Sequence, residues 1–261
     1  MIYLFTNPKI DDAYIRIWKG YKFFAQGALV PRIGYELVGT ASTTDPDESI
    51  TDRFRLRGES IMEHSAKVAY LCSAFMSHFP GIFEDAPPFD DGLREHDAWL
   101  VSTISLLHDV GEVAVGDIPD DGNPMHDIKD ELERNTFDCC MAPAYPREEY
   151  LPLRVAYADF QEHRGFGQVI FALDKLEAIL CLVWLEQYEI YGSVYDKPTT
   201  TAQDIHYASL TGTPCATDCW AAHSKDRLRD LPPKLTHHIF ELLRVAVLDV
   251  RGEWFDWWDK I

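Results

Sequence analysis

Long apolar runs are missing from this 261-residue chain. No segment offers the roughly 20 uninterrupted apolar residues of a membrane helix. The opening MIYLFTNPKIDD has no basic stretch leading into an apolar run, so no secretory leader is expected either. Paired cysteines are missing too. The six cysteines, Cys72, Cys139, Cys140, Cys181, Cys215 and Cys219, form no CxxC pair, and two of them sit inside helical apolar patterns. Reduced, buried thiols read that way, and a cytoplasmic compartment is expected. Positive charge is scarce: 24 Lys and Arg stand against 43 Asp and Glu, a formal charge of −19. Such a surface repels phosphate backbones and anionic lipid, which argues against nucleic-acid and membrane partners. A small anionic substrate stays open, because a bound metal makes a site locally positive whatever the global sign.

What the chain does have is a globular share of apolar residues, 46 %, arranged at helical spacing. Ile61, Ser65, Val68, Ala69, Cys72 and Phe75 mark an amphipathic helix over about residues 60–79, stopped by Pro80-Gly81. A second helix is expected from a cap at Asp97 through AWLVSTISLLH to Gly111, a third near 125–138, and another over 151–162. The run FGQVIFALDKLEAILCLVWLEQYEI, 166–190, is apolar on nearly every side and reads as a central helix. Residues 192–232 are mixed, and a last helix is expected over 234–258, ending in Trp254, Phe255, Trp257 and Trp258 as core or interface. Period-2 runs are short and no repeat is present, so the fold class is all-α.

Three His-Asp dipeptides occur, and they are not equivalent. In His96-Asp97 the aspartate reads as a helix cap, and in His126-Asp127 the carboxylate suits a helix first turn. His108-Asp109 ends the apolar run WLVSTISLL, where an unpaired carboxylate would cost several kcal/mol. A cation must face it, either a metal or an Arg or Lys. Glu63-His64 and Asp174 interrupt comparable apolar stretches. Singly, each is ordinary; together, two histidines and two aspartates from three helices suit a divalent ion such as Mn, Co, Zn, Fe or Mg.

The segments RGESIMEHSAKVAY, LLHDVGEVAVGDIP and FALDKLEAI resemble three successive motifs of the HD superfamily of metal-dependent phosphohydrolases, nearest the bacterial 5′-deoxynucleotidase branch and its eukaryotic HD-domain relatives. The likeness implies an HD core over 51–190, flanked by an N-terminal extension, 1–50, and a helical C-terminal extension, 191–261, packed on it. It implies one divalent metal on His64, His108, Asp109 and Asp174. It implies that Glu112, four residues and so one helical turn after His108, orients or deprotonates water, and that Asp117 assists the water or protonates the leaving oxygen. The substrate it implies is a nucleotide, first a (deoxy)nucleoside 5′-monophosphate, and the oligomeric state it suggests is a homodimer.

Phosphate needs positive partners. Arg57 lies seven residues before His64, as an arginine does in the related enzymes, so the likeness implies that it contacts phosphate or stabilises the site carboxylates, with Arg53 nearby in sequence. The related enzymes carry an arginine further upstream, where this chain has the TDPDES loop near Ser49. Arg53 or Arg55 then substitutes, or the substrate differs. Lys175 either neutralises the acidic cluster or reaches to solvent. Cys215, Cys219 and His223 share one helical face, but the spacing is no standard zinc motif.

Overall fold

A computed structural model describes residues 13–15, 17–18, 61–84, 95–111, 126–187 and 202–260. Among these, every regular element is a helix and no strand occurs. The helices are α1 Ile61–His78, α2 Gly81–Glu84, α3 Glu95–Leu107, α4 His126–Met141, α5 Arg147–Gln161, α6 Phe166–Glu186, α7 Ala202–Thr211, α8 Ala216–Arg227 and α9 Pro233–Arg251, with a short 3-10 turn at Trp258–Lys260. No helix among them is long and apolar enough to cross a membrane.

The centre is α6, buried along almost its whole length. A helix apolar on all sides has no solvent face to offer, so neighbours must cover it. They do: α1, α3, α5, α8 and α9 all pack against it. Val68, Leu71, Cys72 and Phe75 form the fully buried stripe of α1, and the α1–α3 contact is the most extensive in the fold. Helix α9 packs on α6, buries Leu242, Leu243, Val245 and Ala246, and ends at Gly252, whose φ of 78° suits a residue without Cβ. Beyond it, Phe255 and Trp257 are buried, and Trp258 packs edge-on to Phe240 at 4.9 Å. The aromatic end is therefore core. Tyr14, Ile17 and Trp18 are also buried; Trp18 Nε1 donates to Asp249 Oδ2 at 2.7 Å, which ties the N-terminal segment to α9.

Several boundaries differ from the sequence expectation. Helix α3 begins at Glu95, so Asp97 is a buried first-turn residue rather than the cap. It stops at Leu107, and His108 to Gly111 form a turn closed by Val110 N–H donating to Leu107 O at 3.0 Å. Helix α5 starts at Arg147, after Pro146, and carries Pro152 in its interior. The mixed stretch 192–232 contains two helices, α7 and α8; Thr213 and Pro214 mark the turn between them. The last helix is shorter than expected because Gly252 terminates it.

The α5–α6 corner is tight. A Cβ on Gly167 would lie 2.2 Å from the Asp159 carbonyl oxygen, so only glycine lets the helices approach this closely. Arg164 N–H donates to Asp159 O at 2.8 Å and His163 N–H to Phe160 O at 3.1 Å. This pairing is the Schellman closure, whose left-handed position is usually glycine. Here it is His163, at φ 51°. The conformation costs an L-residue about 1 kcal/mol.

Candidate metal centre

Three elements bring the polar breaks together. His64 stands in the first turn of α1, His108 and Asp109 in the turn after α3, and Asp174 in the middle of α6. His108 Nε2 lies 3.3 Å from His64 Nε2. Asp109 Oδ2 is 3.1 Å from His108 Nε2 and 3.4 Å from His64 Nε2. Asp174 Oδ1 is 2.9 Å from His64 Nε2 and 3.8 Å from His108 Nε2. His64, His108 and Asp109 form a group that could hold a metal ion.

The second nitrogen of each ring decides what the first can do. His108 Nδ1 lies 2.9 Å from the Ser105 carbonyl oxygen, which can only accept, so Nδ1 carries the hydrogen. His64 Nδ1 donates to Glu177 Oε2 at 2.6 Å. In each neutral ring the remaining lone pair is on Nε2, and the two lone pairs face one another across 3.3 Å with carboxylate oxygens alongside. Such an arrangement requires a cation between them, a proton or a metal. Imidazoles that ligate metal are held by this kind of outer hydrogen bond.

Electrostatics agree with the geometry. Burial alone would lower both histidine pKa values. At His64 the hydrogen bonds to Asp174 and Glu177 outweigh it and raise the value to about 11. At His108 those to Asp109 and Asp174 raise it to about 9. Burial would raise Asp174, but Lys175 and then the two histidines hold its carboxyl well below the usual range. The centre thus attracts positive charge strongly. Among the described residues the His108 side chain is fully covered, whereas those of Asp109, His64 and Asp174 are each partly exposed.

Two residues of the centre carried no assigned role from sequence. Glu177 is completely buried, and its Oε1 accepts from Lys67 Nζ at 2.8 Å, itself buried on α1. Lys67 also donates to Cys181 Sγ at 3.4 Å. A signal was present: Lys67 is three residues after His64, and Glu177 three after Asp174, so each shares a helix face with a site residue. Lys175, for its part, places Nζ 2.8 Å from Asp174 Oδ2.

Glu112, Asp117, Arg53, Arg55 and Arg57 lie outside the described residues. The sequence pattern predicts a helix on through Gly111; the helix stops at Leu107, and the backbone from His108 to Gly111 is a turn. Side chains of His96, His126 and Asp127 are likewise not described. The Cys215–Cys219–His223 face forms no ligand group among the described residues: Cys215 Sγ faces Glu186 and Arg251, Cys219 Sγ faces Thr213 O, and His223 stacks on Tyr207. Compared with models of protein families, with curated proteins and with solved structures, the chain matches none.

Proposed function

We propose that this chain is a divalent-metal-dependent phosphohydrolase with an HD-type helical core, releasing phosphate from a nucleotide, first a (deoxy)nucleoside 5′-monophosphate. The observation that carries the reading is the pair of opposed Nε2 atoms, 3.3 Å apart, each ring locked through its Nδ1. The donor set of two imidazoles with Asp109 and Asp174 suits Mn, Co, Zn, Fe or Mg, and leaves positions for ligands from solution. When bound, such an ion supplies Lewis acidity toward a phosphate oxygen and a water.

Charge balance supports an anionic substrate. Lys67 offsets Glu177, and Lys175 offsets Asp174, which leaves Asp109 as the one carboxylate of this set without a lysine beside it among the described residues. With both rings neutral, a divalent ion makes the sum over these three carboxylates and two lysines positive within an acidic chain. On this reading Asp109 and Asp174 orient toward the ion, Lys175 faces the phosphate, and the motif likeness assigns water positioning to Glu112 and proton handling to Asp117. Arg57 and Arg53 are assigned to phosphate on the same basis. The reducing cytoplasm is the compartment this reading takes, from the thiol content.

The absence of an arginine near Ser49 favours a second possibility for the substrate alone: a nucleoside triphosphate, a cyclic nucleotide or an alarmone at the same centre. A nucleotide-sensing module without turnover is the rival from another class. A phosphate-release screen over ribo- and deoxynucleotides with Mn, Co, Mg and Zn tests all of these. Inorganic phosphate from monophosphates supports the reading; triphosphate or pyrophosphate as product moves the substrate; tight nucleotide binding without product under every metal rules out catalysis.

A further inference from the structure

His163 is an odd residue for its place. The α5–α6 corner has the hydrogen bonds of a Schellman closure, and glycine fits its left-handed position without strain. A histidine there carries a backbone cost that glycine would not, which directs attention to its ring. The ring stacks on Phe171, 3.7 Å between centroids at 28°, yet the residue as a whole is exposed. Phe171 is buried and one turn before Asp174 on α6. Lys175 lies over that same phenyl ring at 5.4 Å while its Nζ touches Asp174 Oδ2. An imidazole held by backbone and stack, an ammonium and a metal-centre carboxylate are thus linked through Phe171 and Lys175.

Resting on the phosphohydrolase reading above, we infer that His163 is a phosphate-contacting residue: its ring N–H, with Lys175, binds the phosphate oxygens of the substrate at the edge of the centre. Although the residue as a whole is exposed, partial burial of its ring, with Lys175 and Arg227 nearby, lowers its pKa, which favours the neutral ring with one N–H to donate. Its fixed backbone removes the ordering cost that a flexible contact would carry. The stack on Phe171 fixes the plane of the ring. No member of the motif set covers this position, which lies in the turn between two helices.

Binding of inorganic phosphate to the Mn-loaded chain tests this, with steady-state phosphate release from a deoxynucleoside monophosphate alongside. His163→Gly relieves the left-handed strain and deletes the donor. Phosphate affinity should fall about tenfold, and KM should rise by the same factor with kcat little changed. His163→Asn also tolerates this backbone and keeps an N–H donor, so it should recover most of the affinity. Unchanged phosphate affinity in a folded His163→Gly chain would overturn the inference. So would a loss confined to the nucleotide, because the ring would then be stacking a base. A metal-loaded wild type that neither binds nor releases phosphate would instead overturn the phosphohydrolase reading, and this inference with it.

Discussion

Glu177 Oε2 lies 2.6 Å from His64 Nδ1, and the carboxylate has no exposed surface. Its other oxygen holds Lys67. A buried charged pair is a weak source of stability in itself, since desolvation offsets the attraction. Its value at this position is orientation: it fixes the His64 tautomer and turns Nε2 toward His108.

Glu177→Gln should therefore weaken metal binding more than it disturbs the fold's architecture. Outer-sphere carboxylates of this kind contribute roughly 10- to 100-fold to metal affinity. Leaving the Lys67 charge without its carboxylate should also destabilise the metal-free chain by about 3 kcal/mol. Chelator competition reads the first effect and denaturant unfolding the second. Unaltered metal affinity would remove Glu177 from the centre.

The raised histidine pKa values make metal loading a proton-releasing reaction. With His64 at about 11 and His108 at about 9, the metal-free pair is charged at pH 7.5. The two Nε2 atoms are only 3.3 Å apart, so the second proton meets the charge of the first. Between one and two protons per ion should leave on titration with Mn in weakly buffered solution, and affinity should rise with pH. The stability consequence has the opposite sign. A raised pKa stabilises the metal-free fold fully below the unfolded value of 6.5, and that contribution fades as pH rises through about 9 and then about 11. Asp174, held low, contributes above about 3.8 and is lost in acid. Metal-free stability should thus peak between these limits, whereas the metal-loaded chain should keep its stability on the alkaline side. A release of no protons would contradict the account.

Arg251 separates scaffold from centre. Its guanidinium binds Glu186 through two nitrogens, at 2.7 and 2.8 Å, and Asp218 through the third at 2.8 Å, which locks α9 to α6 and α8. Burial raises the Asp218 carboxyl pKa even with Arg251 beside it. Arg251→Met should cost about 3 to 5 kcal/mol, because two poorly solvated carboxylates lose their partner. Metal affinity in the surviving folded fraction should not change. A variant with intact stability and weakened metal binding would reverse these assignments.

The sequence reads most clearly where one physical demand dominates. Helix α6 is apolar all round and had to be central, and His108 stood out because nothing apolar explains it. Helix ends were harder to place. The apolar pattern of α3 carries on through Val110, yet the hydrogen-bonded helix stops at Leu107, because periodicity does not record where the backbone turns. Helices α7 and α8 were hidden by Thr213 and Pro214 in the turn between them and by Asp204 and Asp218 inside the helices themselves. Lys67 and Glu177 each read as an ordinary charge, and only their meeting across α1 and α6 gives them a role. His163 was beyond reach from sequence, since its left-handed backbone and its stack on Phe171 are products of the tertiary fold.

The most direct test of the central claim is metal content measured together with phosphate release, on the wild-type chain and on His108→Ala. The account predicts about one divalent ion per wild-type chain and metal-dependent release of phosphate from a nucleoside monophosphate, with both lost together in the folded variant. A His108→Ala chain that releases phosphate at the wild-type rate without bound metal would contradict it.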